Sequence, residues 1–259
     1  MAGVHVAHRI DGDPSLPDDA PTVVLSNSLG STMAMWEAQV AELSRVARVV
    51  RYDTRGHGAS PVVPGPYSID DLADDVIALL DRLRLARVHL VGLSLGGMTG
   101  MRLAARNPER VDRLVVLCTS ARLEPTQGWL DRAATVRSQG AAVVADAVVE
   151  RWYTEPFRTA HPERVAAAVA TVSATPAEGY AGCCEAIAGM DLRPDLPSIT
   201  APTLAIAGAD DPATPPPHLQ LIADSVQHGR CLVVPQSAHL ANDEQPATIT
   251  PAILEHLGL

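Results

Sequence analysis

The sequence predicts an α/β fold, a mostly parallel central sheet flanked by helices with a helical insertion, and three observations carry that reading. Short β-compatible runs alternate with amphipathic helical stretches from 22 to 117, the pattern of βαβ units. The runs are apolar throughout, as strands covered on both faces should be. Between about 121 and 193 no strand-like run stands out and alanine-rich helical segments take over, before the strands resume at 202. With 259 residues and no low-complexity linker, one large domain is expected. Residues 1–120 and 194–259 form its core, and residues 121–193 a helical lid over a site at the sheet's edge.

Taken in order, residues 4–10 alternate loosely and end at Asp11-Gly-Asp-Pro, which suits an edge strand closed by a turn. A Pro/Asp-rich loop leads to a buried strand over Thr22–Ser26, followed by the polar loop Asn27–Ser31. Apolar positions at Met35, Trp36, Val40 and Leu43 give one face of a helix spanning 35–45, and 46–52 returns as a strand. Asp53–Ser60 is a glycine-punctuated loop in which His57 reads as structural. Ser68 caps a helix whose first turn carries Asp70 and Asp71 at the positive end of the dipole. Its buried stripe is Leu72, Val76, Leu79, Leu80 and Leu83. Strands follow at 88–91, 111–117, 202–208 and 231–235, helical segments at 99–106, 141–152 and 159–174, and a closing helix at 244–257.

Composition narrows the function. Hydrophobic residues make up 47% of the chain but aromatics only 3%, so the interior is built mainly from aliphatic residues and base-stacking surfaces are not expected. A formal net charge of −10 repels phosphate and argues against nucleic acid and anionic membranes. A small anionic ligand then requires local arginines. The first ten residues lack a basic region followed by an apolar core, and no apolar stretch of about 18 residues occurs, so a cytoplasmic protein is expected. Cys118, Cys183, Cys184 and Cys231 show no paired spacing, which favours free thiols, and no metal site is expected.

The chemistry centres on Gly92-Leu93-Ser94-Leu95-Gly96, a Gly-x-Ser-x-Gly pattern between a strand and a helix. Chance supplies that pattern in about one chain of this length in ten, so its context decides. A sharp strand-to-helix turn brings backbone against backbone, leaving no room for Cβ atoms beside the serine. The same turn presents the Leu95 N–H to a developing oxyanion, and Leu29 in the loop after the first buried strand supplies a second N–H. Downstream, Asp210 and Asp211 follow one late strand and His239 follows the last. Carboxyl ends of parallel strands share one rim, so serine, carboxylate and imidazole can meet there. Strand alternation alone leaves Asp210 and Asp211 both open. Within 121–193, Trp129, Trp152, Tyr153 and Phe157 gather half of the chain's eight aromatics, beside Arg132, Arg137 and Arg151.

These motifs resemble the α/β-hydrolase superfamily across nearly the whole chain. Within it the chain is similar to the 3-oxoadipate enol-lactonases of aromatic catabolism. The narrower likeness rests on Leu25–Trp36, Tyr52–Ser60, Gly179-Tyr-Ala-Gly-Cys-Cys184, Met190–Arg193 and Ala238-His239-Leu240. Most of the superfamily carries His-Gly where this chain has Asn27-Ser28, and that departure matches the enol-lactonase pattern. The resemblance implies a catalytic Ser94, Asp211 and His239, with Asp211 chosen by the Gly-x-x-Asp-x-x-Thr-Pro pattern of 208–215, and oxyanion donors at Leu29 and Leu95. It implies opening of 3-oxoadipate enol-lactone in the β-ketoadipate pathway without cofactor or metal. Ser28, Trp129, Arg132 and Arg151 are the candidate substrate contacts, one of the arginines meeting the free carboxylate. Rival readings are a broad carboxylesterase or perhydrolase on the same triad, a serine hydrolase of carbon–carbon bonds, and a binding or signalling module that keeps the fold without turnover.

Overall fold

A computed structural model describes residues 3–17 and 19–259; Met1 and Ala2 of the N-terminal stretch and Asp18 of the Pro/Asp-rich loop lie outside it. Seven strands form one sheet in the order β1-β3-β2-β4-β5-β6-β7. They are β1 (His8–Asp11), β2 (Thr22–Ser26), β3 (Arg48–Tyr52), β4 (Val88–Leu93), β5 (Val111–Leu117), β6 (Thr203–Gly208) and β7 (Gly229–Val234). Only β1 runs antiparallel, at the edge beside β3, starting later than the alternation of 4–10 suggests. Every residue of β2, β4 and β6 is buried, which is why these runs read as continuous apolar stretches.

Helices cover both faces. The first is α1 (Glu37–Leu43), entered through a 3-10 turn at Met33–Trp36; α2 (Ile69–Arg82) and α3 (Leu95–Arg106) follow. Between β5 and β6 come α4 (Thr126–Gln139), α5 (Ala142–Glu150), α6 (Glu155–Ala160), α7 (Pro162–Ala174) and α8 (Ala177–Gly189). The single helix expected over 159–174 is broken at His161, because Pro162 disfavours helical torsions in the residue before it, and His161 sits at φ −131°, ψ 56°. The last three are α9 (Pro216–Ser225), α10 (Ala241–Glu244) and α11 (Pro246–Leu257), with the closing helix likewise interrupted before Pro246.

Register aligns the carboxyl ends of the strands. Ser26 pairs with Gly92, Leu93 with Leu117, Leu117 with Ile206, and Gly208 with Val234. The segments after β2, β4, β6 and β7 therefore leave from one rim, where loop residues from four distant parts of the chain converge.

The loop between β3 and α2 is locked by a buried pair. Arg55 donates from Nε and Nη2 to both carboxylate oxygens of Asp75, at 2.6 and 2.7 Å, with each side chain 2% exposed. At the start of α2, Asp71 N–H donates to the Ser68 hydroxyl at 3.2 Å and Ser68 N–H to the Asp71 carboxylate at 2.9 Å. Two orphan donors of the first turn are thus satisfied reciprocally. Ser68→Ala should cost about 1 kcal/mol and lower Tm by roughly 2–4 °C in a thermal melt.

Candidate active site

The turn after β4 is built by backbone contact. A Cβ on Gly92 would stand 2.2 Å from the Gly96 carbonyl oxygen, and one on Gly96 would stand 2.1 Å from that of Ser26. Squeezed between them, Ser94 adopts φ 55°, ψ −115°, a conformation that L residues rarely occupy. The surroundings hold it there. Its N–H donates to Leu117 O at 2.9 Å, and its carbonyl accepts from the Thr119 hydroxyl at 2.7 Å and from Met98 N–H at 3.0 Å. Ser94 is 8% exposed and begins α3, so the N–H of Leu95 has no carbonyl partner inside the helix.

Across the rim, His239 Nδ1 lies 2.9 Å from Asp211 Oδ2. The same carboxylate accepts the Thr214 hydroxyl at 2.6 Å and the N–H groups of Ala213 and Thr214 at 2.8 and 3.1 Å. Burial acts to raise the Asp211 pKa, but the His239 ring and these donors outweigh it and hold the carboxyl at about 2. An ionised Asp211 makes Nδ1 the donor, which leaves Nε2 as the basic nitrogen. Asp210, by contrast, is exposed. Between the two aspartates left open above, the geometry selects Asp211.

Ser94 and His239 line one cavity of about 270 Å³, together with Ser28, Leu29, Trp129, Arg132 and Arg151. No hydrogen bond joins Ser94 to His239 among the described residues; such contacts are often long before substrate is present. The guanidinium of Arg132 lies over the Trp129 ring, 4.6 Å from its centroid. Arg132 and Arg151 both lack a carboxylate partner among the described residues. Burial first, and then repulsion from Arg132, hold the Arg151 pKa below its ordinary value. Arg137, by contrast, is neutralised by Glu178 and Glu185 and stands apart from the cavity. A larger groove of about 640 Å³ also touches Arg151 but contains neither Ser94 nor His239.

The Leu29 loop is held from behind. His57, fully buried, accepts Gly30 N–H on Nε2 at 3.0 Å, and Nδ1 faces Arg55 O at 3.1 Å, so Nδ1 carries the proton. Burial lowers the His57 pKa and keeps the ring neutral. It is a structural histidine, as the sequence suggests. Asn27 is tied on both sides, donating to Tyr52 O at 2.7 Å and accepting the Trp36 indole N–H at 3.0 Å. The N–H of Leu29 finds no acceptor among the described residues.

Two further positions are not singled out as site residues by the sequence, although Tyr180 falls inside the Gly179–Cys184 stretch that carries the family likeness. Tyr180 lines the cavity from α8, and Glu244 braces the histidine loop. Glu244 accepts Ala238 N–H on one oxygen and the N–H and hydroxyl of Thr154 on the other, at 2.8 and 2.7 Å. Leu240 N–H reaches Trp152 O at 2.8 Å, the Tyr153 hydroxyl donates to Asp243 at 2.9 Å, and Arg164 pairs with Asp243. The segment carrying His239 is thereby bonded to the helices between β5 and β6.

A sequence profile of the family described as alpha/beta hydrolase fold matches residues 21–246. The chain is 42% identical over 235 residues to 3-oxoadipate enol-lactonase 2 of Acinetobacter baylyi, covering 91% of this chain and 88% of that one. Among solved structures, the enol-lactonase of Burkholderia xenovorans LB400 superposes with a TM-score of 0.94 at 40% identity, over 98% of this chain and 96% of that one. A thermophilic esterase of Thermogutta terrifontis, solved with malate bound, gives 0.91 at 29% identity, over 98% and 93%.

Two measurements test the site. Asp211→Asn should lower kcat by about 10⁴-fold, while Asp210→Asn should leave it near wild type. Acid should weaken the fold, because His57 and Asp211 have folded pKa values below their ordinary 6.5 and 3.8 and the unfolded chain binds more protons. Denaturant titrations should show stability falling first below the ordinary histidine range, and again as pH drops from the carboxylate range toward 2.

Proposed function

The chain belongs to the α/β-hydrolase fold family, and from that premise we propose that it opens 3-oxoadipate enol-lactone to 3-oxoadipate in aromatic catabolism. One observation carries the choice of substrate. The cavity that holds Ser94 and His239 also holds two guanidiniums without a carboxylate partner among the described residues, in a chain of net charge −10. An anionic ester supplies the missing countercharge. The names of the Acinetobacter and Burkholderia relatives support the lactone, and the malate in the Thermogutta esterase supports a carboxylate-bearing ligand.

In this reading Ser94 Oγ attacks the lactone carbonyl while His239 Nε2 takes its proton. The N–H groups of Leu29 and Leu95 receive the oxyanion. Collapse breaks the ring C–O bond, and the departing enolate takes the proton from the imidazolium and tautomerises to a ketone. The leaving group is a delocalised enolate, so the demand on His239 as an acid is modest. Water then attacks the acyl-enzyme, His239 accepting its proton and returning it to Ser94 as the acid is released. Asp211 keeps the imidazole in the required tautomer and stabilises its charged form. Every acid–base step in this reading is assigned to Ser94, His239 and Asp211.

The helices of 121–193 act as the lid. They contribute Trp129, Arg132 and Arg151, exclude water and orient the carboxylate, with Ser28 closing the opposite wall. The cytoplasm is the compartment that this reading and four free thiols favour; no described helix is long and apolar enough to cross a membrane.

Loss of the enol-lactone, followed by ultraviolet absorbance, is the direct test. Wild-type kcat/KM should exceed that for simple aryl acetates, and the reverse order would transfer the assignment to a general carboxylesterase. Ser94→Ala should reduce kcat by about 10⁴–10⁶-fold. Replacing Arg132 or Arg151 by Met should act mainly on KM for the charged lactone.

A further inference from the structure

The cavity contains a polar group for which the mechanism above has no use. Tyr180 is 0% exposed, and its hydroxyl makes no hydrogen bond among the described residues. Its place is set by backbone packing. A Cβ on the preceding Gly179 would stand 2.1 Å from Gly56 O, so α8 lies directly against the loop after β3. That contact drives the Tyr180 ring under the Leu29 loop, with Cε2 3.0 Å from where a Cβ on Gly30 would be. Tyr180 is thereby packed beneath the Leu29 loop, and it is one of the residues lining the cavity that also holds Ser94, Arg132 and Arg151.

A buried hydroxyl without a partner is costly, and it persists where a ligand completes it. The charges acting on this one identify the ligand's chemistry. Arg132 and, less strongly, Arg151 both pull on the phenol. Two guanidiniums that only donate, and a phenol whose O–H stays free to donate even where its oxygen accepts from a guanidinium, together suit an anion. Burial raises the phenol pKa well beyond its ordinary range, more than the two arginines lower it, so the proton stays on.

We propose that Tyr180 is a specificity-determining residue whose hydroxyl donates a hydrogen bond to the free carboxylate of the substrate, beside Arg132 and Arg151. The assignment rests on the lactonase reading above for the identity of that substrate. It does not rest on it for the chemistry, since any small carboxylate occupying the same end of the cavity would complete the hydroxyl.

Tyr180→Phe tests it, because the ring and its packing under Gly30 are retained and only the oxygen is lost. Two lactones of the same ring are compared, one bearing the carboxymethyl group and one a methyl group in its place, with adipate as an inhibitor of the methyl lactone's hydrolysis. In the variant, kcat/KM for the charged lactone should fall about 10–100-fold, the range of a hydrogen bond to a charged group. The neutral lactone should stay within about twofold, and Ki for adipate should rise by the same 10–100-fold. Equal losses on both lactones would reveal a structural role and overturn the proposal, as would an unchanged Ki. Should the wild type open the methyl lactone and refuse the charged one, the substrate assignment fails by itself, and the adipate Ki still decides for or against Tyr180.

Discussion

Ser94 stands in the left-handed region because two pieces of main chain touch, the Gly96 backbone lying against the carbonyl of Ser26 at the end of the neighbouring strand. A conformation of that kind costs on the order of 1–3 kcal/mol. It survives because Leu117, Thr119 and Met98 hold both polar atoms of the Ser94 backbone from the adjacent strand, its loop and the helix. Nearly everything at the rim follows from this contact. It holds Ser94 at the end of β4, starts α3 so that the Leu95 N–H has no carbonyl partner inside the helix, and fixes the spacing between β2 and β4 beside the Leu29 loop.

The electrostatic design is one of contrast. Several arginines elsewhere are answered by acids: Arg102 by Asp70 and Asp195, Arg137 by Glu178 and Glu185, Arg55 by Asp75. In the cavity Arg132 is set over an indole face and Arg151 is half-buried at the C-terminal end of α5, a placement that leaves both without a carboxylate partner among the described residues. A protein of strongly negative net charge thereby places two guanidiniums in a cavity whose lining also carries Glu124, itself paired with Arg122. Low dielectric strengthens the Asp211–His239 pair, which is closed from solvent and fed by three further donors.

The chemistry side and the substrate side share one strut. Glu244 and Asp243, just beyond His239, grip Thr154, Tyr153 and Arg164 of the helical insertion, while Leu240 is bonded to Trp152. Burial raises the Glu244 pKa, so its carboxylate depends on those donors to remain charged. Displacing these helices would therefore also pull on the segment that carries His239.

Much of this was legible in the linear chain. The apolar runs named the buried strands, with β2 and β5 matching to the residue; Ser68 announced the start of α2; and the glycines around Ser94 announced a turn that only close backbone approach demands. Those signals are local, since periodicity, capping and steric exclusion act over a few residues. The choice of Asp211 over Asp210 by geometry, the bracing by Glu244, the support of Gly30 by His57 and the unpaired hydroxyl of Tyr180 were not. Each depends on the direction of a side chain in an irregular segment or on a neighbour tens to hundreds of positions away, and no spacing rule encodes that. The amino-acid order determined which elements form and which reactive groups are available. Only the folded chain, by packing Gly179 onto Gly56 and β6 beside β7, decided which of those groups face one another.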